Sequence, residues 1–372
     1  MSYEEIALAL HTLIVLAVPR YRKSIFRVPS QAASPAKKYH PEFDILKGGA
    51  IIAVVLIHTV YFGLLQSDSL NAIWILNYAN TISRFTIGAF FLASGFLLVA
   101  PPSWNASSII GFYSKKFFRI AIPYAGVTYL VWDLFQLEES YWWLVVSGTA
   151  AVPLYFVPVL FQLYLLFPVL AYLQNRWPGI VLWGSFVLAQ ISFWTGLLYQ
   201  SGGVIVFGTF IFYFVFGMVR RDLLEPSSET RRAWGEIVLW YLCIHAGLSA
   251  LMVGISPNNP FATHIYNSQF SYAMAMSGLI LYWATHLLRF GGLVQTGLIQ
   301  LGRLSLWIFL LHYPIQQLLF DPVYEQSSLW QGFFMHFGGT WLITIPLAWV
   351  FHWGYGYLLR WGGMMRVTNG AK

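Results

Sequence analysis

Ten apolar runs separated by short polar loops constrain this chain more than any other feature. They fall at approximately 45–62, 85–100, 119–135, 154–173, 179–199, 203–219, 234–255, 270–288, 304–319 and 335–358. Their lengths approach the roughly 20 residues that a helix needs to cross the hydrocarbon of a bilayer. Only a helix or a closed barrel satisfies its own backbone there, and runs that are continuously apolar, without a two-residue alternation, select the helix. The expected fold is therefore all-α, a polytopic membrane bundle of about ten transmembrane helices.

Composition and charge sharpen this expectation. Only 9% of the 372 residues are charged, against about 25% in a soluble domain. The single cysteine, Cys243, excludes a disulfide framework and a thiolate metal site, and no metal is expected. An apolar stretch at 6–19 follows two glutamates and precedes a basic segment, the wrong charge order for a secretory signal; it reads as an interfacial helix or a short extra span. Residues 20–41 are basic and rich in Pro, Ser and Ala, a tether on the membrane face. This divides the chain into an N-terminal segment with tether (1–41), a membrane domain (42–360) and a short tail (361–372).

The net charge of +7 is a matter of orientation. With 20–41 in the cytoplasm, every Lys and Arg except Arg84 falls in the loops of that side, at the adjoining ends of the runs or in the C-terminus, while Asp68, Asp133, Glu138, Glu139, Asp321 and Glu325 fall opposite. That is the positive-inside pattern of a multi-pass protein of the cytoplasmic membrane, with its C-terminus in the cytoplasm. Nucleic acid is not an expected partner. No loop is long enough to hold a soluble catalytic domain, so any chemistry resides in the bundle.

Within the first run, DILKGGAIIAVVLIH, Lys47 and His58 are eleven residues apart. Eleven helical steps of about 100° return to nearly the same face and advance about 16 Å. Asp44 lies within about 40° of that face. Ionisable groups inside a membrane are functional candidates because each costs at least a few kcal/mol to place there, roughly 2.5–3.5 by insertion scales. Lys47 suits a phosphate, and a neutral imidazole at His58 suits a general base. The plainer alternative is that Lys47 snorkels to the surface and His58 makes an interhelical hydrogen bond.

Five segments, taken in order, bear on that choice. They are Asp44, Lys47 and His58 in the first run; ISRFTIGAFFLASGFLL at 82–98, with Gly88; FYSKKFFRIAIP at 112–123, with Lys116, Arg119 and Pro123; LYFVPVLFQLYLLFP at 154–168, with Tyr155; and LGRLSLWIFLLHYP at 301–314, with Phe309. Together they resemble the membrane acyltransferase-3 family, ten-helix proteins that acylate hydroxyls of cell-envelope glycans and related acceptors. Gly88, Tyr155 and Phe309 depart from that family's usual proline, tryptophan and tyrosine.

The resemblance implies transfer of an acyl group, most simply acetyl, from acyl-CoA to a hydroxyl of a cell-envelope glycan or lipid-linked saccharide. Acyl-CoA is then a donor substrate, and no permanently bound cofactor is implied. His58 would activate the acceptor hydroxyl, with Asp44 holding Lys47 or the basic cluster in place. Lys47, Lys116 and Arg119 would contact the donor phosphates. Arg84, Ser94 and His312 would line the remainder of the site, Arg84 orienting the acceptor or an oxyanion. Ser305 and His312 share a helical face, but seven residues separate them by roughly 10 Å, too far for a nucleophile and its base. His245, His286, His336 and His352 read as structural. The competing reading is a non-enzymatic exporter or flippase for a lipid-linked glycan, which also needs about ten helices with interior cations.

Overall fold

The computed structural model describes residues 39–100, 104–195, 200–201, 204–221 and 265–361, with isolated positions at 14, 17–19 and between 232 and 243. Most of the N-terminal segment and tether, the expected span at 234–255 and the tail after 361 lie outside the described residues.

The described chain is helical apart from a two-residue hairpin. Its helices are α1 (Pro41–Leu65), α2 (Leu70–Ser83), α3 (Thr86–Leu97), α4 (Ala106–Lys116), α5 (Ile122–Leu134), α6 (Tyr141–Ser147), α7 (Phe156–Arg176), α8 (Pro178–Thr195), α9 (Ile211–Val219), α10 (Ile265–Phe290), α11 (Leu293–Tyr324) and α12 (Leu329–Trp361). The strands Gln200–Ser201 and Val204–Ile205 pair antiparallel. Four segments, Pro41–Leu65, Val152–Arg176, Leu293–Tyr324 and Leu329–Trp361, are long and apolar enough to cross a membrane, and shorter apolar helices accompany them. The protein is an all-α membrane bundle.

Each expected run that falls within the described residues carries a helix. Three further helices, α2, α4 and α6, occupy stretches that the apolar pattern leaves as loops. At 14 residues, α2 reaches only about 21 Å, short of the roughly 30 Å of hydrocarbon. Its mixed sequence, LNAIWILNYANTIS, explains why no membrane run was legible there.

Local chemistry sets the helix ends. Pro41 occupies the first turn of α1 beside Glu42 and Asp44, where a missing N–H is harmless and carboxylates oppose the helix dipole. The Asn105 side chain accepts from Ser108 N–H to cap α4, and Ser140 does the same for α6 through Trp143 N–H. Gly148, at φ +76°, ends α6 in a conformation that only glycine enters without strain.

The chain divides into two compact units: Met1–Val99, Leu166–Tyr199 and Phe207–Arg303 form the first, and Ala100–Leu165, Gln200–Val206 and Leu304–Lys372 the second. In the first, α1 packs on α2, α3 and α10, and α3 packs on α9. Glycines allow the closest crossings. A Cβ at Gly95 would collide with the Phe214 carbonyl, and one at Gly217 with the carbonyl of Leu92, so α3 and α9 meet backbone to backbone. A Cβ at Gly48 would meet the Leu298 carbonyl, and one at Gly302 the carbonyl of Asp44, which brings the start of α11 equally close to α1. Small residues at such crossings are the usual means of tight packing in membranes, where apolar lipid competes with apolar side chains.

In the second unit, α11 and α12 run against each other. Trp307 stacks on Phe351 with centroids 5.3 Å apart, His336 donates from Nε2 to the Gln316 carbonyl at 2.8 Å, and the ring of Tyr324 fills the space left by Gly332.

Replacing Gly95 by valine is expected to destabilise the detergent-solubilised protein by about 3 kcal/mol or more, since backbone rather than a movable side chain is in the way. Gly126→Val, where nothing lies within 4 Å, is expected to change stability by less than about 1 kcal/mol. Equilibrium denaturation of both variants measures the difference.

Candidate active site

Asp44 stands in the first turn of α1, buried, with Lys47 one turn further along. Lys47 Nζ lies 2.6 Å from Asp44 Oδ1, with 24% of the lysine side chain exposed. The other carboxylate oxygen, Oδ2, accepts a hydrogen bond from the Tyr39 hydroxyl at 2.7 Å. That hydroxyl in turn accepts from Arg303 Nη2 at 3.1 Å. Burial, followed by the hydrogen bond to Asp44, holds the Tyr39 phenol above the ordinary tyrosine range, so it keeps the proton that it donates. Arg303 Nε stands 3.8 Å from Asp44 Oδ2, with 48% of the side chain exposed. Nearby, His40 Nδ1 engages Glu42 at 2.9 Å.

His58 is half-buried further along the same uninterrupted helix. Lys47 and His58 are thus rigidly spaced, about 16 Å apart along the axis, and do not touch. Arg84 is half-buried at the corner between α2 and α3, and Ser94 is half-buried within α3. Asp44, Lys47, His58, Arg84 and Ser94 all belong to the first unit.

Lys116, Arg119 and His312 belong to the second. Lys116 ends α4, and Arg119 lies in a π-helical turn, Phe117–Ala121, that joins α4 to α5. Pro123 sets the far end of that widened turn. Ile122 N–H reaches back five residues to the Phe117 carbonyl; the next donor in that register would be residue 123, and proline has none. The orphaned carbonyl of Phe118 instead accepts from the Tyr355 hydroxyl of α12. The widened turn is therefore tied down, and it leaves Arg119 exposed. The Lys116 ammonium lies 4.6 Å from the Tyr164 ring centroid and 5.7 Å from that of Phe112, an aromatic seat for a cation.

His312 is fully buried in α11. Its Nδ1 lies 2.8 Å from the Phe309 carbonyl and 3.1 Å from that of Ile308. Carbonyls only accept, so Nδ1 carries the proton of the neutral ring, and Nε2 is the nitrogen that can take one. By the same logic, His336 donates from Nε2 to Gln316 and has Nδ1 as its basic atom. Among the described residues, no three His, Cys, Asp or Glu side chains converge as metal ligands.

Two participants in the Asp44 cluster escaped the sequence reading: Tyr39, just ahead of the helix, and Arg303, hundreds of positions away within the LGRLS segment. Nothing in the spacing of residues links Arg303 to Asp44; the glycine crossing at Gly48 and Gly302 does.

A buried carboxylate bracing a basic residue one turn on, with a histidine eleven residues beyond, is the arrangement that the first helix's motif anticipates. The family described as an acyltransferase domain matches residues 40–353. The chain belongs to the membrane acyltransferase-3 family. No curated protein and no solved structure matches the chain. The matched span opens at His40 and closes within α12, so it takes in parts of both units and every site residue expected from the sequence. The protein is thus a membrane acyltransferase.

Burial lowers the pKa of the Lys116 ammonium to about 8, helped by the charges of Arg119 and Lys115. Its amine is accordingly expected to label with an acylating reagent along a titration with its midpoint near 8, when labelling is followed by mass spectrometry across pH. Its cationic form, and any anion binding that depends on it, should fade as pH rises through that value. Lys116→Arg is expected to abolish the pH dependence of that binding.

Proposed function

We propose that this acyltransferase takes its acyl group, most simply acetyl, from acyl-CoA that approaches from the cytoplasm. The acceptor is a hydroxyl of a cell-envelope glycan or of a lipid-linked saccharide. The protein works in the cytoplasmic membrane, with its C-terminus in the cytoplasm, as the distribution of Lys and Arg favours. The observation that carries the reading is the braced Lys47, fixed by Asp44 at the start of α1, with His58 about 16 Å further along the same rigid helix. A pantetheine arm is long and thin, so phosphates held at Lys47 would let the thioester extend toward His58.

The chemistry follows from those groups. The neutral imidazole of His58 removes the proton from the acceptor hydroxyl as its oxygen attacks the thioester carbonyl. The tetrahedral intermediate collapses with cleavage of the carbon–sulfur bond. The imidazolium returns its proton to the departing thiolate, giving an ester and free coenzyme A, with His58 neutral again. Arg84 stabilises the oxyanion or orients the acceptor, and Ser94 and His312 provide further hydrogen-bonding contacts. Lys116 and Arg119 are assigned to the donor phosphates because they fill the family's basic pattern, and because cations near a polyanion form strong charge-assisted hydrogen bonds.

Mass analysis of envelope glycans from cells with and without the protein tests this reading. The acyl mass should vanish without the protein, and His58→Ala should reduce it by about 100-fold or more, the usual loss when a general base is removed. Decoration by His58→Ala equal to that of the parent would overturn the assignment.

A further inference from the structure

We propose that Arg303 is a phosphate-binding residue for the donor, held ready by Tyr39 and Asp44; the inference rests on the acyl-CoA reading above. Arg303 could close on Asp44 as a two-pronged ion pair, the preferred geometry of arginine with a carboxylate. It does not. Its Nε stays 3.8 Å from Oδ2, while the Tyr39 hydroxyl donates to that oxygen at 2.7 Å. Lys47 occupies Oδ1 at 2.6 Å. Each carboxylate oxygen thus has a closer partner than the guanidinium.

What holds Arg303 is Tyr39 instead. The guanidinium carbon lies 5.6 Å from the Tyr39 ring centroid, and Nη2 donates to the same residue's hydroxyl at 3.1 Å. Of the five N–H donors of an arginine, that is one hydrogen bond, and nearly half of the side chain is exposed. Glu42, the other carboxylate of the first turn, is engaged by His40 at 2.9 Å. A planar fork is thus oriented on an aromatic face with most of its donors unspent, beside a lysine at the same end of α1. Planar, bidentate display of this kind matches phosphate oxygens better than any other side chain. Tyr39 and Asp44 are positioning residues, and Arg303 is the one that touches the ligand.

The test uses the purified full-length protein in detergent, with coenzyme A and its phosphate-free analogue pantetheine as probes in titration calorimetry. Arg303→Gln, which preserves much of the side chain's reach while removing the charge, should weaken coenzyme A binding roughly tenfold or more, as loss of a charge-assisted contact does. Pantetheine binding should not change. Arg303→Lys should recover only part of the affinity, since it restores charge but not the fork. Tyr39→Phe should weaken coenzyme A about threefold with Arg303 intact, because freeing Oδ2 lets the guanidinium close on Asp44. Arg360→Ala, distant in sequence and outside the site, serves as the control.

Three results would overturn the proposal, and they are distinguishable. If Arg303→Gln binds coenzyme A like the parent while Lys47→Ala does not, Arg303 has no part and the donor reading stands. If Arg303→Gln weakens both probes equally, its role is structural. If the parent binds no coenzyme A at millimolar concentration, the donor reading itself falls, and this inference with it. Should Arg303→Gln fail to fold, the Arg303→Lys and Tyr39→Phe arms decide, because an undiminished preference for coenzyme A over pantetheine in both would exclude the role.

Discussion

The close crossing of α1 with the start of α11 underlies the chemistry of the first unit. Two glycines, Gly48 and Gly302, remove the side chains that would otherwise hold the helices apart, so each backbone rests on a carbonyl of the other. In hydrocarbon, apolar side chains gain little by touching one another rather than lipid, and contact between helices depends on close van der Waals packing. Small residues at the crossing satisfy that condition. They also set the position of Arg303, the residue next to Gly302, relative to the carboxylate of Asp44. A side chain at either glycine would displace the guanidinium along with the helix.

Asp44 is then a carboxylate that cannot stand alone. Taking an unpaired charge out of water is heavily penalised unless partners and hydrogen bonds compensate. Lys47 and Tyr39 each satisfy one oxygen, and Arg303 adds its charge from slightly further away. The arrangement orients two cations on one carboxylate, while Glu42 of the same turn is engaged separately by His40.

The second unit solves a different backbone problem. Pro123 removes a donor from a helix already widened by one residue, and the Tyr355 hydroxyl from α12 supplies what is missing. Widened turns of this kind are rare and are found frequently at functional sites. Here the turn carries Arg119, and the helix end that precedes it seats Lys116 on Tyr164. The carbonyl partners of His312 and His336 likewise fix which ring nitrogen of each neutral imidazole carries the proton.

The sequence alone determined the class of fold, because bilayer thickness and the need to satisfy every backbone group leave a run of about 20 apolar residues few alternatives. It also determined the Asp44, Lys47 and His58 register, since within one helix geometry follows from counting. The order of the five motifs marked the family. It left α2, α4 and α6 unmarked, because helices that are short or of mixed polarity give no distinctive periodic signal. What only the tertiary structure decided was which distant residues meet: Arg303 with Tyr39 and Asp44, Tyr355 with the opened turn at Phe118, and His336 with Gln316. These contacts depend on how closely two helices approach and at what register, and those quantities are set by packing between segments remote in the chain, which no local spacing encodes.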